Sequence, residues 1–124
     1  RELLSVPGTW GLIALNSVPS KSDSSGDPVG FILARIVLDE AEILSIGVPP
    51  NWRKAGIGRA LLTAALDQVQ EKGANKVFRE VGKDNPAAVA LYTDMAFKQV
   101  GLRKKYYRRS DGALIDALVM QKRL

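Results

Sequence analysis

The sequence predicts an α/β fold, with a central mixed β-sheet flanked by helices. Three observations predict it. The segments run strand, hairpin, helix, strand, helix, hairpin. At their centre an apolar run, Ile43-Leu44-Ser45-Ile46-Gly47-Val48, leads through the glycine-rich turn Arg53-Lys54-Ala55-Gly56-Ile57-Gly58-Arg59 into a long helix pattern. Apolar residues recur with helical spacing after that turn and with strand character on either side of it.

Residues 1–6 read as the tail of a helix that Pro7-Gly8 ends. Residues 9–15 read as a strand, and 16–28 as a polar, Ser-rich loop without apolar periodicity. A β-type run over 29–38, a tight turn at Asp39-Glu40 and a return strand over 41–48 form a hairpin. The helix over 56–72 places Ile57, Leu61, Leu62, Ala65, Leu66 and Val69 on one face, with Gly73 as its stop. A strand follows over 76–81. Asn85 then caps a second helix with Pro86 in its first turn and Ala88, Leu91, Tyr92 and Met95 facing inward. A basic strand over 97–107, a turn at Ser110-Asp111-Gly112 and a strand over 113–124 close the chain. The strand–helix–strand unit across 56–81 requires a parallel pair, whereas the hairpins are antiparallel.

The chain has 124 residues, the size of one domain, and 46% hydrophobic residues are enough for one core. We therefore read residues 1–124 as a single domain. It has no Cys, which rules out a thiol nucleophile and disulfides, and no His, which rules out the Ser-His-Asp class. No metal site is expected from that composition. A general base must be Glu, Asp, Lys, Tyr or activated water. No apolar run approaches the roughly 20 residues that cross a bilayer, so no membrane partner is expected. The start, Arg1-Glu2-Leu3-Leu4, does not read as a signal peptide and lacks Met, so a natural N-terminus further upstream is an expectation. The expected location is cytoplasmic, with a plastid or other organelle left open. A net charge of +5 suits nucleic acid, a ribosome, an anionic membrane or a phosphorylated cofactor, or is an ordinary basic surface.

The glycine turn offers helix N–H groups and a partial positive charge to an anion. It is not a P-loop, because no Gly-Lys-Ser/Thr occurs, and it is not the Gly-x-Gly-x-x-Gly dinucleotide fingerprint. Arg53-x-x-Gly56-x-Gly58, preceded by Val48-Pro49 and followed by Leu61-Leu62, resembles the acetyl-CoA pyrophosphate loop of the GNAT superfamily of N-acetyltransferases. Glu80-Val81, Asn85, Ala88, Leu91-Tyr92, Phe97, Gly101, Arg103, Tyr106-Tyr107 and Asp116-Ala117 follow in order and spacing. Together they resemble the RimI branch, the ribosomal-protein-alanine N-acetyltransferases, from about residue 29 to 124.

The resemblance implies the GNAT acyl-CoA N-acyltransferase fold and direct attack of an amine on acetyl-CoA without a covalent enzyme intermediate. The implied acceptor is the N-terminal α-amino group of a protein or peptide, such as a ribosomal protein, with no nucleic acid except through the ribosome. The alternatives are a small-molecule amine acetyltransferase and a non-catalytic acyl-CoA- or ribosome-binding module. By resemblance Glu80 is the candidate base, Tyr107 the candidate acid for the departing sulfur, and Tyr92 its rival. The structural alternative for Glu80 is a solvated carboxylate or a partner for Arg79. Tyr106 should point away from Tyr107 on a strand. Arg53, Lys54, Ala55, Gly56, Ile57, Gly58, Arg59 and Ala60 would hold the pyrophosphate. Backbone groups of Ile46 and Val48, with Asn85 and Tyr92, would hold the pantetheine arm, and Gly47 suits a bulge or a close ligand approach. The run Arg103-Lys104-Lys105 with Arg108-Arg109 reads as a solvated hairpin or as a dock for an acidic target or ribosomal RNA.

Four departures stand out. Ala96 replaces a usual Gly and is suited only to negative φ. Arg79 occupies a usually apolar position on the side of Val77 and Val81. Ile115 replaces a usual Glu. The family's first strand and helix, which precede the matched region, are not expected within these residues.

Overall fold

The structure is a computed structural model that describes residues 8–15, 27–53 and 56–124. Its elements are β1 (Thr9–Leu15), β2 (Pro28–Val37), β3 (Glu40–Gly47), a short 3-10 turn (Pro50–Trp52), α1 (Ile57–Glu71), β4 (Lys76–Gly82), α2 (Pro86–Asp94), β5 (Lys98–Arg108) and β6 (Leu114–Arg123). Residues 1–6, most of the Ser-rich loop, Lys54 and Ala55 lie outside the described residues.

The six strands form one mixed sheet in the order β1-β2-β3-β4-β6-β5. Among the described residues only β3 and β4 pair in parallel, and α1 links them. Leu61, Leu62, Ala65, Leu66 and Val69 of α1 bury against Ile32, Ala34, Ile43 and Val77 of the sheet, and Tyr92 and Phe97 join the same core. The polar residues of α1 stay out, so the helical spacing of the sequence becomes one apolar layer on one sheet face. No described helix covers the other face, where Glu80, Phe78 and Val119 line a cavity of about 540 Å³.

The β2–β3 turn falls at Leu38-Asp39, one residue earlier than Asp39-Glu40. Leu38 takes φ 60° there, and Asp39 is tied by its carbonyl to Asn75 N–H and by its carboxylate to the Asn75 amide. Those bonds to the α1–β4 loop set the register of the turn, which a local reading does not see.

Both helices end in the same way. After α1 the N–H of Gly73 donates to Gln70 and that of Ala74 to Val69, with Gly73 at φ 98°. After α2 the N–H of Ala96 donates to Thr93 and that of Phe97 to Tyr92. These are paired C-terminal bonds that need a left-handed residue. Ala96 therefore sits at φ 71°, and the expectation of negative φ is corrected. The edge-to-face packing of Tyr92 and Phe97, 5.1 Å between centroids, holds the chain in that turn. A left-handed alanine costs about 1–2 kcal/mol, part of which a glycine recovers after its larger unfolded-state entropy. Ala96→Gly should thus stabilise the fold by about 0.5–1 kcal/mol, read as a higher urea midpoint with unchanged slope.

Candidate active site

The site is built where β3 and β4 part. Their parallel pairing is limited to Glu40 with Lys76, Ala41 with Val77 and Glu42 with Phe78. Beyond it the two strands diverge into a fork. The cause lies in β3. Leu33 pairs with Ser45 and Ala34 with Ile43, so Leu44 is an extra residue in a β-bulge. A bulge bends its strand and re-aims its carbonyls. Arg79 of β4 answers the bulge: one guanidinium nitrogen donates to the carbonyls of Ile43 at 3.2 Å and Leu44 at 3.0 Å. The same guanidinium lies 5.9 Å from the centroid of the Tyr92 ring. The charge on the Val77 and Val81 side is as read from the sequence, and its partners are backbone carbonyls.

At the open end of the fork, Ile46 of β3 has no β4 residue paired to it and pairs only with Ile32 of β2. The bulge is at Leu44, not at Gly47. Gly47 is bare because a Cβ there would come within 2.5 Å of the Phe31 ring, so the close approach is by a side chain of β2. Arg53 donates from Nε to the Val48 carbonyl at 3.0 Å and holds the loop against the strand end. Gly56 caps α1 at φ 81°, with no side-chain cap and no acidic residue in the first turn. A Cβ at Gly56 would meet nothing within 4 Å. Among the described residues the first N–H groups of α1, from Ile57, Gly58 and Arg59, have no backbone acceptor, and the following Ala60 N–H bonds to the Gly56 carbonyl. The Arg59 side chain turns to Asp94 at 3.3 Å. Asn85 accepts the Ala88 N–H at 3.2 Å, the capping bond expected of it. These features fit an extended ligand with a phosphate end: a slot between strands, and a helix terminus at its mouth.

The acid and base candidates divide between the two sheet faces. Glu80 lies on the helix-free face, where its carboxylate meets Arg103 Nε at 2.8 Å. Its partner is therefore Arg103 and not Arg79. Tyr107 shares that face; its hydroxyl donates to the Glu80 carbonyl over a long 3.4 Å. Tyr92 lies on the helical face, 1% exposed, and its hydroxyl has no hydrogen-bond partner among the described residues. Burial pushes the phenol of Tyr92 above its ordinary value, against the pull of the Arg79 charge. Burial raises Tyr107 as well, and Arg79 again opposes it. An acid raised in the folded state adds stability that is complete below its unfolded value, about 10. Above that the stability is lost as the unfolded phenol ionises first. Stability should therefore fall from about pH 10 upward, and Tyr92→Phe should flatten that fall in urea midpoints measured from pH 8 to 11.

The basic hairpin is more committed than its composition suggests. Arg103 is spent on Glu80, and Arg109 binds Asp84 through two bonds, one from Nε at 2.7 Å. Between the pairs Arg103–Ala117 and Tyr107–Ile115 two extra residues bulge from β5. Lys105 takes φ 53° in this bulge, and its N–H donates to the Asp116 carboxylate at 2.8 Å. The strand alternation is broken, so Tyr106 does not point away from Tyr107; their centroids are 5.1 Å apart. Sequence reading missed the Arg103–Glu80 and Arg109–Asp84 pairings. Their signal, two acids near the end of one strand and two arginines in the next hairpin, has no meaning until the register is known.

A slot opened by a bulge between parallel strands, with a helix terminus at its mouth, places the chain among α/β domains built on one mixed sheet. The acetyltransferase (GNAT) family profile matches residues 15–97. The chain belongs to that family. It is 43% identical over 103 residues to the N-alpha-acetyltransferase RimI of Mycobacterium tuberculosis, covering 80% of this chain and 61% of that one. The crystal structure of the ribosomal-protein-S18-alanine N-acetyltransferase from Escherichia coli superposes with a TM-score of 0.75 at 36% identity, over 79% of this chain and 63% of that one. Arabidopsis thaliana NAA60, solved in complex with acetyl-CoA, shares the fold with a TM-score of 0.86 at 21% identity, over 97% of this chain and 78% of that one. The chain spans less than two thirds of the length of the two bacterial relatives. The GNAT fold read from the sequence is the fold observed.

Proposed function

We propose that residues 1–124 act as one N-acetyltransferase domain that moves an acetyl group from acetyl-CoA to the N-terminal α-amino group of a protein. The observation that carries this reading is the fork itself, which joins an anion-ready helix terminus to a buried tyrosine hydroxyl beneath a carboxylate-bearing cavity. The relatives named for S18-alanine and N-alpha acetylation support the choice of acceptor. A ribosomal protein is the acceptor we favour, and a cytoplasmic location goes with it. No described helix is long and apolar enough to cross a membrane.

In this reading the N–H groups of Ile57, Gly58 and Arg59, with Arg53, Gly56 and Ala60 around them, hold the pyrophosphate. Lys54 and Ala55 belong to the same loop but lie outside the described residues. Backbone groups of Ile46 and Val48 pair with the pantetheine amides as an added strand would. Asn85 keeps its capping bond and turns its remaining polar atoms to the arm. Acetyl-CoA supplies an activated carbonyl whose sulfur leaves with the electron pair of the broken C–S bond. Glu80 takes the proton that the amine must lose. The cavity on its side is lined by Asp39, Glu40, Glu42 and Glu80 against Arg35 and Arg103. Four carboxylates against two guanidinium groups favour a cationic amine, even on a chain of net charge +5. We assign the proton donor to Tyr92 ahead of Tyr107, because the Tyr92 hydroxyl is buried without a partner next to the fork and the Tyr107 hydroxyl already donates to Glu80.

The test is thiol release from acetyl-CoA with peptides that begin with Ala, Ser or Met, and with polyamines. Turnover with an Ala-starting peptide well above the polyamines is expected. Turnover of polyamines alone would make the chain a small-molecule acetyltransferase, and calorimetry without acetyl-CoA binding at micromolar levels would sink the reading.

A further inference from the structure

Arg79 is the feature that the proposed reaction does not yet use. It is a charged side chain on the core face of a central strand, flanked by the buried Val77 and Val81 and paired across β6 with the buried Met120. Burying a guanidinium is costly unless its donors are used. One terminal nitrogen is used, on the Ile43 and Leu44 carbonyls, whereas Nε is buried and has no partner among the described residues. The nearby Tyr92 hydroxyl is also buried and has no partner. Native structures rarely leave two such donors unpaired side by side. Both lie at the closed end of the fork, immediately beyond the last strand pair, Glu42 with Phe78. A ligand whose phosphates sit at the Gly56 terminus and whose arm runs along Ile46 ends at this point.

Resting on the acetyl-CoA reading, we propose that Arg79 is a positioning residue that makes the closed end of the fork an anion subsite for the sulfur of coenzyme A. The clamp on two carbonyls of the bulge fixes the guanidinium against the Tyr92 ring, leaving Nε–H and the Tyr92 O–H as donors to a thiolate. A fixed cation and two donors in a water-poor site favour sulfur carrying negative charge. The same contacts hold the Tyr92 ring in place for its proton. The charged and titratable groups around the fork are few. Tyr92 comes from α2, and Tyr107 and the Glu80–Arg103 pair come from the opposite face. α1 presents only apolar side chains, Leu61, Leu62, Ala65, Leu66 and Val69.

The experiment compares the affinities of coenzyme A and desulfo-coenzyme A by calorimetry from pH 6.5 to 8.5, since the desulfo compound cancels the phosphate contribution. An ordinary thiol titrates near 8.5, and a neighbouring cation lowers such a group by about one to three units. The ratio of affinities should therefore rise about tenfold across that range in the wild-type protein. Arg79→Leu, which removes the partly buried guanidinium and its bonds to the Ile43 and Leu44 carbonyls, is measured where its urea midpoint shows it folded and should abolish the rise while desulfo-coenzyme A binding changes less than about threefold. Arg79→Lys, which keeps the charge, should retain part of it. A flat ratio in the wild-type protein, or a rise that survives in Arg79→Leu, overturns the inference but leaves the acetyl-CoA reading standing. Failure of either compound to bind the wild-type protein overturns both.

Discussion

Glu80→Gln is expected to lower kcat by about 10²–10³-fold while the KM for acetyl-CoA changes by less than about threefold. The amide keeps the shape of the carboxylate and can still accept the 2.8 Å bond from Arg103, so the sheet face stays intact. It cannot take a proton from the acceptor. The deficit should shrink as pH rises through about 8, because an α-amino group with an ordinary value of 7.7–8.0 then arrives already neutral. Steady-state kinetics with an Ala-starting peptide at pH 7 and pH 9 read both effects. Parallel loss of turnover and acetyl-CoA affinity, with no recovery at pH 9, would reduce Glu80 to the partner of Arg103.

The second expected result sets function against stability. Tyr92→Phe should lower kcat about 10²-fold or more, whereas Tyr107→Phe should lower it less than about threefold, since a positioned proton donor is worth about 10²–10⁴-fold and Tyr107 is committed elsewhere. Tyr92→Phe should nonetheless leave the melting temperature unchanged or raise it. Its hydroxyl is buried and unpartnered, so removing it relieves a desolvation cost of about 1–3 kcal/mol without opening a cavity or stranding another group. The ring keeps its edge-to-face contact with Phe97. Kinetics and thermal melts of the two variants check this together. Should Tyr107→Phe prove the more damaging change, the donor role passes to Tyr107.

Much of the architecture was legible because it rests on local rules. The α1 face from Leu61 to Val69, the Asn85 cap with Pro86, the Gly73 stop and the parallel β3–β4 pair all follow from spacing and capping chemistry that neighbouring residues dictate. The family was legible from Arg53-x-x-Gly56-x-Gly58 and the ordered residues after it. What was missed depends on register. The turn at Leu38-Asp39 answers to Asn75, distant in sequence. Ala96 obeys a helix end that Tyr92 and Phe97 hold in place, which overrides its own preference for negative φ. Tyr106 and Tyr107 share one side because a bulge pinned by Asp116 cancels strand alternation.

The sequence by itself determined the order of elements, the faces of the helices and the chemistry available: carboxylates, phenols and arginines, without thiol or imidazole. Those depend on residue type and on spacing within a few positions. Only the tertiary structure decided which of these groups meet. It gave Glu80 to Arg103, Arg109 to Asp84, and Arg79 to the carbonyls of a bulge 35 residues away. It put Glu80 and Tyr92 on opposite faces of the sheet. The physical reason is that pairing across strands depends on register and on where a bulge falls, and one extra residue such as Leu44 re-aims every group beyond it.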